Sequence, residues 1–294
     1  MSRHTCVIFN PTARGDKAKT FRAFLDTLSN HCTLRPTTAA GEARALATRA
    51  VNEGFTTIVA AGGDGTVNEV LNGLGDAPDG FARARLGVLP LGTVNVLARE
   101  LRLPLQIPAA WEMIRHGNET IIDVPLAEFI VAGKKERRYF VQLAGAGLDS
   151  RAIELVDWET KKKFGPLAYI IAGLKAMQGP RPRITVENIS GELILIGNGR
   201  LYGGNFIFFP HASPTDGLLD VCVFPKVTWP GLFKAGVGLL LARFPKICDT
   251  VSLQKPTVTL SSSERVLLEL DGDNVGELPA TLSVIPKTLR VIVP

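Results

Sequence analysis

TTIVAAGGDGTVNEVLNGL, residues 56–74, is the stretch from which the fold can be read. Residues 56–61, TTIVAA, have the β-branched and small apolar composition of a buried strand, and GGDGT at residues 62–66 breaks the run. Val67, Val70, Leu71 and Leu74 then recur at helical spacing. A strand passing through a glycine loop into a helix is the repeating unit of a parallel α/β sheet. The same alternation extends outward from it. Upstream lie the strand TCVIFN, a helix over residues 15–28, and a helix marked by Ala43, Leu46, Ala47, Ala50 and Val51 at i, i+3, i+4, i+7 and i+8. Downstream, the strand LGVLP ends at Pro90 and a helix follows over residues 96–101. The fold class is therefore α/β, with a parallel sheet covered by helices.

Beyond about Ile122 the texture changes. Runs at 138–143, 192–196, 218–224, 257–260 and 266–270, separated by Gly, Pro, Asn and Asp clusters, read as strands of a mostly β domain. One helical island interrupts them at 165–177, where Leu167, Ile170, Ile171 and Leu174 keep helical spacing. A domain boundary is expected near residue 122, with no internal repeat.

Composition excludes several classes. With 294 residues, 46% hydrophobic and 21% charged, the chain is too apolar to be disordered. No run reaches the roughly 18 uncharged apolar residues of a membrane-spanning helix. The segment MSRHTCVIFNPTARG lacks the apolar core and cleavage site of a secretory signal, so a cytoplasmic location is expected. Cys6, Cys32, Cys222 and Cys248 show no C-x-x-C spacing, and His4, His31, His116 and His211 are scattered, so zinc and redox motifs find no support. A net charge of +5 suits an anionic partner without choosing among phosphates, lipid headgroups and nucleic acid.

Chemistry concentrates in the glycine loops. Glycines let backbone N–H groups approach a ligand, and the following helix N-terminus favours anions, so GGDGT in its strand-to-helix setting suits phosphate. Asp64 would repel bare phosphate but is reasonable if Mg²⁺ stands between carboxylate and phosphate oxygens; the bland alternative is a glycine turn with Asp64 capping the helix. A second loop, LGTVN, repeats the arrangement. It places Gly92 and Thr93 at a strand-to-helix junction, Asn95 where it can bond a sugar or base, and Arg99 one turn further on; taken alone, Asn95 would be an N-cap and Arg99 a solvated charge. A third loop, residues 10–12, leaves the first strand. The P-loop pattern, the third glycine of a dinucleotide fingerprint and the protein-kinase triplets are all missing.

GGDGTVNEVLNGL together with PLGTVNVLARELRLP resembles the diacylglycerol kinase-type lipid kinases, relatives of sphingosine kinases and, more distantly, of NAD kinases. The resemblance continues through FNPTARG at 9–15, FVQLAGAGLDSRAI, KFGPLAYIIAGLKAM, IGNGRLYGGNFIFFPHASPTDGLLDVCVF and LDGD at 270–273. It implies an NAD kinase-like α/β domain over residues 1–122, completed by a returning strand at 286–294. It also implies a β-sandwich over 123–285, with catalysis in the cleft between the two. ATP and Mg²⁺ would be used, and a membrane lipid such as diacylglycerol would be phosphorylated on a hydroxyl. By the same resemblance, Asn10, Thr12, Gly62, Gly63, Gly65, Thr66, Thr93, Asn95 and Arg99 contact nucleotide, and Asp64 is catalytic through its metal link. Asp273 is the base, where the family usually has a glutamate after Asp-Gly; a plain turn role is the alternative, since Asp-Gly is also a turn signal. Asp216, the Leu218 carbonyl and Asp220 would hold a second, structural Mg²⁺.

Basic residues at Lys134, Lys135, Arg137 and Arg138, and at Lys161, Lys162 and Lys163, read either as solvated charge or as a docking surface for anionic membrane. They lack interleaved aromatics, which argues against nucleic acid. An exposed sandwich edge could pair two copies into a homodimer. Two rival readings share GGDGT: an NAD kinase, which leaves PLGTVN and PTDGLLD unexplained, and a nucleotide- or lipid-binding regulator that has lost turnover.

Overall fold

The computed structural model describes residues 5–11, 16–148, 150, 179, 181–240 and 249–294. The chain divides into two units, Met1–Val124 with Gly203–Asn205 and Ile285–Pro294, and Pro125–Tyr202 with Phe206–Val284.

In the first unit β1 (Thr5–Phe9) lies parallel to β2 (Thr33–Pro36) on one side and to β3 (Thr57–Gly62) on the other. β3 pairs in parallel with β4 (Arg85–Pro90). Every residue of β3 and β4 is buried, as expected of central parallel strands covered on both faces, and this is why they read as unbroken apolar runs. The intervening helices are α1 (Asp16–Ser29), α2 (Glu42–Asn52), α3 (Asp64–Asp76), the short α4 (Gly80–Arg83), α5 (Val96–Glu100) and α6 (Ile107–His116). α2 packs on α3, and α1 packs on α6. Cys6 is buried in β1, and burial pushes its thiol up to about 11 against the weaker opposing pull of Arg35, so it is an inert core residue.

β5 (Asn118–Val131) runs through Val124 and Pro125 without a break, so the change of unit falls inside a strand. The second unit also contains β6 (Lys134–Tyr139), β7 (Leu143–Gly147), β8 (Ile184–Val186), β9 (Ile189–Gly191) and β10 (Leu193–Gly197). There follow the small hairpin strands β11 (Leu201–Tyr202) and β12 (Phe206–Ile207), then β13 (Leu219–Phe224), helix α7 (Trp229–Leu240), β14 (Val251–Lys255), β15 (Thr257–Ser262) and β16 (Leu267–Leu270). The last strand, β17 (Asp273–Val293), starts beside β16 and ends in the first unit, where Val291 pairs in parallel with Leu86 of β4.

One antiparallel layer of the second unit runs β14-β13-β10-β7-β16-β17, while β9, β8, β15 and the middle of β17 form another. Alternate residues of the first layer, Ala144, Ala146, Ile194, Ile196, Val221, Val223, Leu268 and Leu270, share one core with Ile184, Val186, Val258, Leu260, Ala280 and Leu282 of the second. This is the packing of a β-sandwich. The opposite face of the first layer is covered too: Leu193, Leu195, Cys222 and Phe224 pack with Phe208, Phe209, Ala212 and Val227.

The strand expected over residues 138–143 is instead two strands, β6 ending at Tyr139 and β7 beginning at Leu143. The N–H groups of Val141, Gln142 and Leu143 are donated to the Asp271 carboxylate rather than to a neighbouring strand, so pairing stops there. The helical island at 165–177 and the basic cluster at 161–163 lie outside the described residues.

Candidate active site

The parallel register brings the carboxyl ends of three strands to one edge of the first unit: Phe9 pairs with Ala61, and Gly62 with Pro90. Asn10, exposed, leaves β1 there; Thr12 lies outside the described residues. The two glycine loops touch backbone to backbone. A Cβ on Gly92 would lie 2.6 Å from Gly63 Cα and 2.8 Å from Asn95 Oδ1, and a Cβ on Gly62 would collide with the Thr66 side chain. Neither loop uses left-handed backbone at its glycines; Gly63 is extended, at φ −89°. Close approach, not conformational freedom, is what these glycines supply. Gly92→Ala is expected to cost about 1–3 kcal/mol, read as a lowered thermal midpoint, and unchanged melting would show that the loops can part without cost.

α3 begins at Asp64, so Asp64, Gly65 and Thr66 form its first turn, and no side chain caps it. The Asp64 carboxylate points to the other loop: Oδ2 accepts the Asn95 N–H at 2.9 Å and Oδ1 the Val96 N–H at 2.6 Å. It thus caps α5, the helix of the neighbouring loop. Asn95 stands in the left-handed region at φ 53°, only 3% exposed. Its Oδ1 accepts the Gly92 N–H at 2.9 Å and its Nδ2 donates to the Gly92 carbonyl at 2.6 Å, so this side chain shapes the loop from inside. Arg99 donates through Nε to the Val94 carbonyl at 2.7 Å and through Nη1 to Asn205 Oδ1 at 2.8 Å. Thr93 and Gly65 are exposed, and Thr66 is half-buried. Asp64, Asn95 and Arg99 brace the loops, while the backbone of the α3 first turn and Thr93 form the accessible part of the edge.

Sequence reasoning missed two partners. Glu69 of α3 accepts the N–H groups of Gly41 and Ala43, capping α2, and Asn205 anchors Arg99 from a distant segment. A Glu one turn after GGDGT on a helix gives no clue to a cap on another helix, and Asn205 is 106 positions away.

In the second unit, Asp271 and Gly272 have φ of 49° and 96° and form the two-residue turn from β16 to β17. The Asp-Gly turn signal is therefore real, and Asp273 is the residue after the turn, paired with Leu270 and exposed. Asp271 accepts three N–H groups, from Val141 at 2.7 Å, Gln142 at 2.9 Å and Leu143 at 3.1 Å, which fixes the turn that presents Asp273.

Pro214 to Leu218 form a turned loop leading into β13, in which Asp220 lies, with Gly217 at φ 75° and Asp216 Oδ1 accepting the Leu218 N–H at 3.0 Å. Both Asp220 oxygens accept from Gln254 Nε2, at 3.1 and 3.2 Å. Burial raises the Asp220 pKa; the Gln254 bond opposes this, the neighbouring Asp216 charge adds to it, and His211 lowers it. Two carboxylates close enough to repel are hard-oxygen donors of the kind a divalent cation keeping several waters takes. Three His, Cys, Asp or Glu side chains are grouped for a metal nowhere among the described residues. Gly197 pairs with both Asp220 and Leu143, Ala144 pairs with Leu270, and Leu270 pairs with Asp273. Four inter-strand steps thus separate Asp220 from Asp273, roughly 19 Å, so a cation at the loop could not touch a reacting atom at Asp273. Lys134, Lys135 and Arg137 are exposed on β6, where Arg137 faces Glu128 across the hairpin.

The first unit is thus a parallel α/β domain with two abutting glycine loops at one strand edge, and the second a β-sandwich. Comparison with known proteins agrees with that class. Residues 4–127 match the diacylglycerol kinase catalytic domain, and residues 142–293 the YegS C-terminal NAD kinase beta sandwich-like domain. Diacylglycerol kinases of Staphylococcus aureus strains MRSA252 and Newman are each 30% identical, over 100% of this chain and 93% of theirs. A crystal structure of a diacylglycerol kinase from Bacillus anthracis superposes with TM-score 0.73 at 22% identity, covering 99% of this chain and 97% of that one. A second from the same organism reaches 0.78 at 24%, covering 99% and 98%. At such identity the two structures show the fold. The chain belongs to the diacylglycerol kinase-type family, and it is a lipid kinase.

Proposed function

We propose that the protein transfers the γ-phosphate of ATP to the hydroxyl of a membrane lipid such as diacylglycerol. The observation that carries this reading is the locking of the two glycine loops by Asp64, which leaves the first turn of α3 uncapped beside the exposed Thr93. N–H groups at a helix start, with the positive end of its dipole, bind phosphate oxygens. In this reading Gly63, Gly65 and Thr66 face the phosphates, and Asn10 and Thr93 bound the nucleotide. Arg99 and Asn95 act by holding the loop. Asp273 accepts the proton as the lipid oxygen bonds to phosphorus and ADP leaves. Mg²⁺, when bound, neutralises phosphate charge. Asp64 is its proposed ligand at the phosphates, its carboxylate standing between the two glycine loops. Asp216, Leu218 and Asp220 would hold a second ion that fixes the sandwich loop. Lys134, Lys135 and Arg137 favour contact with an anionic membrane, in keeping with a cytoplasmic enzyme working at the bilayer surface.

Incubation with labelled ATP, Mg²⁺ and vesicles carrying diacylglycerol, other lipid alcohols or no acceptor, alongside NAD in solution, tests the proposal. Label in lipid supports it. Label in NAD makes the chain an NAD kinase, and ATP binding without transfer to any acceptor makes it a regulator.

Asp216→Ala gives the second ion a test with a sign. Without a cation, Asp216→Ala loses the bond to the Leu218 N–H together with the repulsion on Asp220, two opposing effects that should leave stability little changed. With Mg²⁺, the wild type should melt higher by mass action and the variant should not respond. Wild-type melting curves that coincide in EDTA and in Mg²⁺ would remove the ion.

A further inference from the structure

Glu269 of β16 is only 1% exposed, an acidic side chain that neither the glycine loops nor the Asp216 loop employs. A carboxylate is kept so far from water only by the bonds it makes where it lies. The strand register fixes its direction. Glu269 pairs with Gly145 of β7 on one side and with Asn274 of β17 on the other, and Gly145 pairs in turn with Leu195 of β10. Directly paired residues share a face, so Glu269 and Asn274 lie on the side of Leu195, away from the core that Leu268 and Leu270 enter. Gly145 contributes no side chain to that row, which leaves room for a glutamate beside Leu195. The carboxylate turns toward the end of the β16–β17 hairpin, where Oε1 accepts the Gly272 N–H.

The hairpin end depends on such a bond because its ladder is short. The register shifts between Leu268 and Glu269: Leu268 pairs with Gly276 and Glu269 with Asn274, so Val275 is an extra residue on β17. A bulge of this kind interrupts the ladder and bends the strand that carries it. Gly276 permits the close approach there, since a Cβ on it would lie 2.4 Å from Phe129 Cδ2. Beyond the bulge only two pairs join β16 to β17, Glu269 with Asn274 and Leu270 with Asp273, before the turn at Asp271 and Gly272. The N–H groups of the two turn residues lie outside that ladder and must be satisfied otherwise. The Asp271 N–H goes to the Leu143 carbonyl at 2.9 Å, and the Gly272 N–H goes to Glu269. On the far side of Asp273, Asn274 Nδ2 donates to the Ser150 carbonyl at 2.8 Å. Asp273, itself exposed, is therefore placed by bonds that its chain neighbours make, and Glu269 bonds the neighbour directly before it.

We propose that Glu269 is a positioning residue for phosphate transfer: by holding the Gly272 N–H across the short hairpin end, it sets the direction in which Asp273 presents its carboxylate. This deepens the assignment of Asp273 as proton acceptor and rests on it. Reach, not charge, is the property required. The bond runs to a neutral N–H, which an amide oxygen at the same distance can also accept, whereas an aspartate ends one methylene short of it. Displacing a reacting group by about 1 Å can cost on the order of 10²-fold in rate, so a turn left free to shift on two ladder pairs is enough to slow the reaction.

Single-turnover transfer from saturating ATP to diacylglycerol in vesicles is the measurement, with circular dichroism and melting curves on the same preparations. Glu269→Gln should react at close to the wild-type rate. Glu269→Asp and Glu269→Ala should be slower by roughly 10- to 100-fold, with ATP affinity unchanged. A role in stability alone predicts lower melting temperatures but the wild-type rate from folded protein in all three variants, and that result overturns the proposal. So does the reverse order, Glu269→Asp fast and Glu269→Gln slow, for charge would then be the property in use. Should Glu269→Ala fail to fold, the comparison of Glu269→Gln with Glu269→Asp decides alone. Combination with Asp273→Asn separates this inference from the assignment on which it rests. Where Asp273→Asn alone is slow, adding Glu269→Asp should cost nothing more, and a further drop of the same proportion means that Glu269 acts elsewhere and overturns the proposal. Where Asp273→Asn alone keeps the wild-type rate, the assignment of Asp273 as base falls, and the positioning role of Glu269 falls with it.

Discussion

Asp64→Asn is expected to reduce phosphate transfer by on the order of 10²-fold or more and also to melt earlier than the wild type. A carboxylate proposed only to hold a metal would not affect folding. Here both Asp64 oxygens accept backbone N–H groups, from Asn95 at 2.9 Å and Val96 at 2.6 Å, and these bonds join the two glycine loops. An asparagine has one oxygen to offer and turns an NH₂ toward the other N–H, leaving two donors face to face. A broken bond of this kind costs about 1–3 kcal/mol, and each kcal/mol shifts the midpoint by roughly 2–4 °C in a domain of this size. Melting curves, a kinase assay and a Mg²⁺ titration on one preparation separate the contributions. Early melting with activity intact would make Asp64 a brace alone; lost activity with unchanged melting would make it purely chemical. Activity and melting both near wild type would remove it from either role.

This dual duty marks where sequence reading reached and where it stopped. The strand, loop and helix of residues 56–74 were legible because apolar period and glycine position are local properties. The orientation of Asn95 was not. It faces inward because Gly92 abuts Gly63, a contact between loops nearly thirty residues apart that no window along the chain contains. Local signals were also passed over: Ile107, Ala110, Trp111 and Ile114 have the spacing of α6 and are all buried in it, yet Pro108 and the short length obscured the helix. Residues 138–143 read as one strand because their composition is right, while the break depends on where Asp271 sits, some 130 residues later. β2 has four residues, ends in proline and buries none of them fully, so no periodicity announces it. Apart from α6, whose pattern is local, each missed feature is set by a partner remote in sequence or by an element too short to carry a pattern.

Asp273 is where composition, geometry and chemistry meet most directly. Its neighbours share the structural work: Asp271 and Gly272 make the turn, and Asp271 holds three N–H groups of residues 141–143. Asp273 itself is exposed at the first position of β17, after the turn. A residue so placed can be changed without breaking the turn, so its variants report chemistry rather than folding. If it is the general base, Asp273→Asn should slow the chemical step by on the order of 10²–10⁴-fold, with nucleotide affinity and melting temperature unchanged. Asp273→Glu probes reach. Glutamate adds one methylene, and activity should be kept or raised if aspartate only just reaches the acceptor hydroxyl, or should fall if the surroundings are fitted to the shorter side chain. Single-turnover rates with ATP held saturating isolate the step, because a loss confined to binding would vanish under those conditions. Wild-type rates in both variants would leave Asp273 no part in the reaction, and the proton acceptor would then have to be sought among other groups.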